Sequence, residues 1–179
     1  KVIGLYTESF GNPRKFARIA RRVSRSRPIV AVRTGSAAMG SMGGALYQQA
    51  GLIEVPTVNA MLDVCRVLES QPIMRGARVA VITNSSSPGT LTSAALEANG
   101  LIAVRPATPL TWQAEPGDYE RAIAAALMDS EVDGLVVVFA PTVPAFEAAM
   151  GPTIHAAAAG ATKPVVAATA AAEGIDAQD

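Results

Sequence analysis

The sequence predicts an open, doubly wound α/β fold, and three observations carry that expectation. Short apolar, β-prone runs recur along all 179 residues. Between them lie segments whose apolar residues fall at i, i+3, i+4 and i+7, the spacing of an amphipathic helix. Strand, helix and strand follow one another within so few residues that the strands must pair in parallel. Half of the residues are hydrophobic and 17% are charged, which excludes general disorder.

Taken in order, Lys1 to Thr7 is the first strand, and Asn12-Pro13 is a helix start with proline at the first helical position. Phe16, Ile19, Ala20 and Val23 form the apolar stripe of that helix. Pro28 ends it, and Ile29 to Val32 is a buried strand. Gly35 to Gly44 holds four glycines in ten residues and predicts a flexible loop. Ala45 to Gly51 reads as one or two helical turns closed by glycine, and Leu52 to Val55 as a short strand. Met61, Val64, Cys65 and Leu68 mark the next helix. Gln71 to Gly76, with Pro72, is the expected domain boundary, leaving residues 1–71 and 77–179 on either side.

In the second part, Arg78 to Thr83 is a strand and Asn84 to Gly89 a turn. Leu91, Ala94, Ala95 and Ala98 form one face of a helix closed by Asn99-Gly100. Leu101 to Val104 is a strand, and Arg105 to Gly117, with three prolines, is irregular. Tyr119, Ala122, Ile123 and Ala126 mark a further helix, and Gly134 to Ala140 is a strongly apolar strand. A helix over Ala145 to Ala158, interrupted near Gly151-Pro152, and a strand at Pro164 to Ala168 complete the order.

Fifteen basic residues balance fifteen acidic ones and the pI is about 6.8, which argues against a nucleic-acid partner. No run of 18 apolar residues exists, so no membrane-spanning helix is expected. The single Cys65 excludes an internal disulfide framework and a cysteine-based zinc site, and fits a reducing, cytoplasmic setting. The sequence opens at Lys1 directly into a strand, without a signal-peptide pattern, and is expected to be a piece of a longer polypeptide.

Ligands of doubly wound folds gather at the carboxyl ends of the strands. There, Val81 to Leu91 passes from a buried strand through Asn84, Ser85, Ser86, Ser87, Pro88, Gly89 and Thr90 into a helix. A helix start leaves backbone N–H groups without internal partners and carries partial positive charge, so this one can hold a phosphate or phosphoryl group. It lacks the lysine of a nucleotide-hydrolase P-loop. An ordinary capped helix has the same look. Glu8, just past the first strand, is placed to orient a histidine or to coordinate a metal-bound phosphate, and equally to be a solvated loop residue. His155, the only histidine, stands in an alanine-rich stretch with no acidic partner nearby and reads as structural. Arg14, Arg18, Arg21 and Arg25 share a helix face opposite Phe16, Ile19 and Val23, for which a solvated face is the commoner explanation and docking of a phosphorylated cofactor or an acidic partner subunit the other. Cys65 reads as core, and Trp112 as the cap of an apolar edge.

Three stretches carry a family resemblance. Ile3 to Ser9, with Arg14-Lys15-Phe16 and Pro28 to Val32, looks like "ALYLES…RKF…KPVVVLK". Gln49 to Val55 looks like "RQAGVIRV", and Arg78 to Asn84 with Pro88-Gly89 looks like "RVAIVTNAGGPG". Asp133 to Val138 fits the strand that follows. In this order they resemble the NDP-forming (ADP-forming) acyl-CoA synthetases, the acetate–CoA ligase family related to succinyl-CoA synthetase. The resemblance implies two flavodoxin-like, succinyl-CoA synthetase-like domains, the first incomplete at its N-terminus. It implies interconversion of acid, CoA and NTP with acyl-CoA, NDP and phosphate through a phosphohistidine. Glu8 would be the orienting carboxylate and Asn84 to Thr90 a phosphate-holding helix start. No cofactor would sit within this stretch; CoA, ATP and Mg are implied for the complete enzyme. CoA-binding and ATP-grasp domains, in cis or on a partner subunit, and an oligomer are implied as well.

The sequence departs from that family at one chemical point. The "SHTG" motif that holds the phosphorylated histidine falls at Gly35 to Gly44, where no histidine occurs. A second shortening lies near Thr108 to Trp112. Either the phosphorylation loop is lost, leaving a catalytically inactive phosphate-binding or scaffolding module, or the natural polypeptide carries further residues at these points. By itself the stretch is expected to bind phosphate weakly and turn over nothing.

Overall fold

The computed structural model describes residues 1–9, 11–34, 40–105, 109–141 and 144–169. It divides into two compact units, Lys1–Gln71 and Pro72–Asp179. The first unit runs β1 (Ile3–Thr7), α1 (Pro13–Ser24), β2 (Ile29–Arg33), α2 (Gly40–Ala50), β3 (Ile53–Glu54) and α3 (Val58–Ser70). Its sheet has the order β1-β2-β3, all parallel, with Ile3 opposite Ile29 and Val30 opposite Ile53. Asn12 caps α1 by accepting from the Lys15 amide, and Thr57 caps α3 by accepting from the Ala60 amide. Ala20, Tyr47, Ala50 and Leu52 pack with Ile29 and Ala31 into one core on the α1–α2 side. On the other face, α3 rides close over β1: a Cβ at Gly4 would lie 3.5 Å from the Met61 sulfur and 3.7 Å from Cys65 Sγ.

The second unit runs β4 (Arg78–Thr83), α4 (Ser86–Ala98), β5 (Ile102–Val104), α5 (Pro116–Met128), β6 (Gly134–Phe139), α6 (Pro144–Ala158) and β7 (Val165–Thr169). Its parallel sheet has the order β5-β4-β6-β7, so the chain reverses direction of growth at β4, between β5 and β6. Ala80, Ile82, Leu135, Val137 and Phe139 face α5 and α6 and form the core with Tyr119, Ile123, Met150 and Ile154. Tyr119 and Phe139 meet edge to face with centroids 6.0 Å apart. α4 covers the opposite face of β4 and β5. At the amino ends of β4 and β6, Arg78 bonds both oxygens of Asp133, Glu131 and the Ser130 carbonyl.

Several expectations are corrected. The glycine-rich stretch is helical from Gly40 onward, because α2 packs beside α1 and tertiary contact outweighs the low intrinsic propensity of its glycines; residues 35–39 lie outside the described residues. α6 continues through Pro152 without a break. The proline removes an amide bond to the Ala148 carbonyl, and Ala148 is exposed, so water can take its place. In α4, the stripe Leu91, Ala94, Ala95 and Ala98 faces outward, with Leu91 72% exposed, while Thr92, Ser93 and Leu96 turn half-buried toward the sheet. In α1, Ile19 is 42% exposed rather than buried. Trp112 is largely exposed and His155 stands exposed on the last turn of α6.

Candidate functional site

The site is built where β4 passes into α4. β4 is apolar enough to be buried through Ile82, and Thr83 then begins the polar turn. Thr83 Oγ1 accepts from the Ser85 amide and donates to the Ser85 carbonyl, which folds the turn back on itself. Asn84 is buried, and its amide is committed: Nδ2 donates to the Ala140 carbonyl at 2.8 Å and Oδ1 accepts from the Ala140 amide at 3.0 Å. This two-way clip ties the carboxyl ends of β4 and β6 together at the point where the strand order reverses. Beneath it lies the fully buried Tyr119. Its hydroxyl faces the Asn84 backbone short of a well-aligned hydrogen bond, and burial pushes the phenol far above the usual tyrosine range.

Ser85 is the N-cap of α4 in extended backbone, with no side-chain cap bond. The Gly89 amide already bonds the Ser85 carbonyl at 3.3 Å, Pro88 has no N–H, and Thr90 Oγ1 donates to the Ser86 carbonyl. The first-turn amides left to face a ligand are those of Ser86 and Ser87. Ser85, Ser86, Gly89 and Thr90 line a cleft of about 500 Å³ between α4 and the β5 side of the sheet. Ser87 is exposed and does not line it. Thr83, Ser93, Glu97 and Arg105 complete the polar lining. Arg105 is the cation of this cleft, and sequence reading passed over it as part of an irregular proline-rich segment. Its signal was the strand end: it directly follows β5, beside the end of β4. Gly89 admits close approach, since a Cβ there would lie 2.9 Å from the Thr83 methyl.

Glu8 belongs to the first unit. It is exposed on the bend after β1. Around it, the Thr7 and buried Tyr47 hydroxyls are hydrogen-bonded, and the Thr34 amide bonds the Thr7 carbonyl. The Thr34 hydroxyl is buried without a partner among the described residues. Among the described residues no group of three His, Cys, Asp or Glu side chains converges to hold a metal ion. None of the described helices is long and apolar enough to cross a membrane.

Two parallel α/β units, each presenting strand ends and a following turn, define a flavodoxin-type architecture. Residues 1–68 match the family model described as the succinyl-CoA ligase like flavodoxin domain. Beyond that stretch, the chain is similar along most of its length to ADP-forming acetate–CoA ligases. Acetate–CoA ligase (ADP-forming) II subunit alpha of Pyrococcus furiosus is 29% identical, over 87% of this chain and 41% of its own length. The corresponding I subunit alpha is 25% identical, over 79% of this chain and 38% of its own. A protein of Pyrococcus horikoshii OT3 solved by crystallography superposes with a TM-score of 0.82 at 29% identity, over 96% of this chain and 44% of that one. The apo dinucleotide forming acetyl-coenzyme A synthetase 1 of Ca. Korarchaeum cryptofilum gives 0.80 at 25% identity, over 94% and 44%. The chain thus spans about two fifths of the length of these two curated relatives.

Proposed function

We propose that this chain is the central portion of an NDP-forming acyl-CoA synthetase, which joins acid and CoA at the expense of NTP through a phosphohistidine. CoA-binding and ATP-grasp domains, in cis or on a partner subunit, supply the CoA and nucleotide chemistry. The observation that carries the reading is the start of α4: the Ser86 and Ser87 amides are left without helical partners, and Ser86 lines a cleft that also holds Arg105. Two unpartnered amides at the positive end of a helix suit the oxygens of a phosphoryl group, and a guanidinium adds charge. Gly89 keeps α4 close against Thr83, which sets the distance between these amides and the strand ends. Thr90, whose proton is spent on Ser86, supports the turn. Glu8, solvent-facing at the end of β1, would hold the imidazole in the tautomer and orientation that accept the phosphoryl group.

Ser86→Pro in the full-length polypeptide tests the α4 assignment cleanly. Proline is well accepted at the first helical position, and Ser85 is already extended as a residue before proline must be. The substitution therefore deletes one amide donor with little cost to folding. Labelling with γ-phosphate-labelled ATP should fall by roughly tenfold, the order expected for one charge-assisted hydrogen bond, while the unfolding midpoint holds. Glu8→Gln should lower it by about a hundredfold or more. Unchanged labelling in either variant removes that residue from the mechanism.

A second reading is favoured by the lack of a histidine in Gly35 to Gly44. It makes the chain a catalytically inactive phosphate-binding or scaffolding module. On that reading the full-length protein forms no acid-labile phosphoenzyme yet still binds inorganic phosphate in a titration calorimeter, and Ser86→Pro weakens that binding.

A further inference from the structure

We propose that the outer face of α1 docks on the acidic second unit of another copy of this chain. The zero net charge conceals a division. Residues 1–71 hold ten basic and four acidic residues, whereas residues 72–179 hold five basic and eleven acidic ones. Seven of those ten cations lie between Arg14 and Arg27, and all seven are exposed. No acidic residue occurs between Glu8 and Glu54. Among the described residues, the ion pairs join Arg33 to Glu54, Arg78 to Glu131 and Asp133, and Arg121 to Asp118; none involves α1. Arg14 and Arg18, Arg18 and Arg22, and Arg21 and Arg25 stand four residues apart on the helix, where like charges repel. α1 thus carries a cost that an opposing acidic surface removes.

Ile19 decides the kind of partner. It is 42% exposed in the midst of Lys15, Arg18 and Arg22. An apolar centre inside a charged rim is the layout of a protein contact, and a polyphosphate chain would leave it against water. The second unit offers the complement. Met128, at the end of α5, is 87% exposed beside Asp129, and Glu120 is exposed earlier on the same helix. Ile19 meets Met128 while guanidinium groups meet carboxylates. Every copy carries both surfaces, so a second copy is a partner always present at matching concentration. The contact is electrostatically steered and weakens as salt screens it.

Sedimentation velocity on the full-length protein tests this at about 0.02 M and about 0.5 M salt, either side of the ~0.1 M at which the Debye length is ~10 Å. The expected result is self-association at low salt that weakens at least tenfold at high salt. The Arg18→Glu/Arg22→Glu variant should weaken it to a similar degree, with an unchanged circular dichroism spectrum. Adding Glu120→Arg and Asp129→Arg to that variant should restore it. Ile19→Ala should weaken association without altering its salt dependence. A monomer at low salt, or an assembly indifferent to both salt and Arg18→Glu/Arg22→Glu, overturns the proposal. So does a loss that the acidic-face substitutions fail to restore.

Discussion

The Asn84 side chain gives one hydrogen bond to the Ala140 backbone and takes another, and both lie in a buried strand-end crevice. Truncating it strands a carbonyl and an amide where water enters poorly. Asn84→Ala should therefore cost about 2–4 kcal/mol, read as a lower urea midpoint of unfolding. An unchanged midpoint would mean that water replaces the clip. The Arg78–Asp133 pair carries the pH dependence of the opposite end of the sheet. Bonds from the Arg78 guanidinium and the Arg78 amide hold the Asp133 carboxyl down to about 2. An unfolded aspartate titrates near ~3.9. A depressed folded pKa stabilises above the unfolded value, and that contribution disappears as pH falls from about 4 through about 2. Acid titration followed by circular dichroism should show stability falling through this window. Asp133→Asn should flatten that part of the curve while lowering stability near neutral pH.

At the scale of the element, α4 shows how one helix can be placed by its start rather than by its stripe. Leu91 and the alanines face out, so hydrophobic periodicity does not hold this helix on the sheet. Close approach at Gly89 and the folded turn at Thr83–Ser85 do. Gly89→Ala would press a Cβ to 2.9 Å from the Thr83 methyl, forcing α4 off β4. Overpacking of this kind costs about 1–3 kcal/mol. Phosphoryl retention should fall further than stability alone accounts for, because the Ser86 and Ser87 amides move with the helix. Phosphoenzyme yield compared with urea stability separates the two effects, and proportional losses would leave Gly89 a purely packing residue.

Across the whole molecule the two units differ in how much core they own. Among the described residues, the α5–α6 side of the second unit gathers fourteen buried residues, and the corresponding cluster of the first gathers six. Buried apolar area is the chief stabilising term, so the units should open at different free energies. Amide exchange should be slowest in β4 and β6 and faster in β1 to β3, by an order of magnitude or more in protection. Equal protection would mean that the first unit draws its stability from contacts beyond its own core.

The sequence by itself determined what depends on near neighbours. Asn12-Pro13 set the start of α1, and the spacing of Tyr119, Ala122, Ile123 and Ala126 picked out the buried face of α5. Apolar runs located the strands to within a residue or two, because strand and helix periodicity are local properties. Within Asn84 to Thr90 it marked the turn but not the division of labour, in which Asn84 clips Ala140 while Ser86 and Ser87 keep their amides. Arg105 entered the cleft only because β5 lies beside β4, a pairing between segments some twenty residues apart. The outward turn of Leu91, the exposure of Ile19 and the helical start at Gly40 were likewise settled by what packs against them. Burial is a property of the partner surface, and tertiary structure alone supplies that partner.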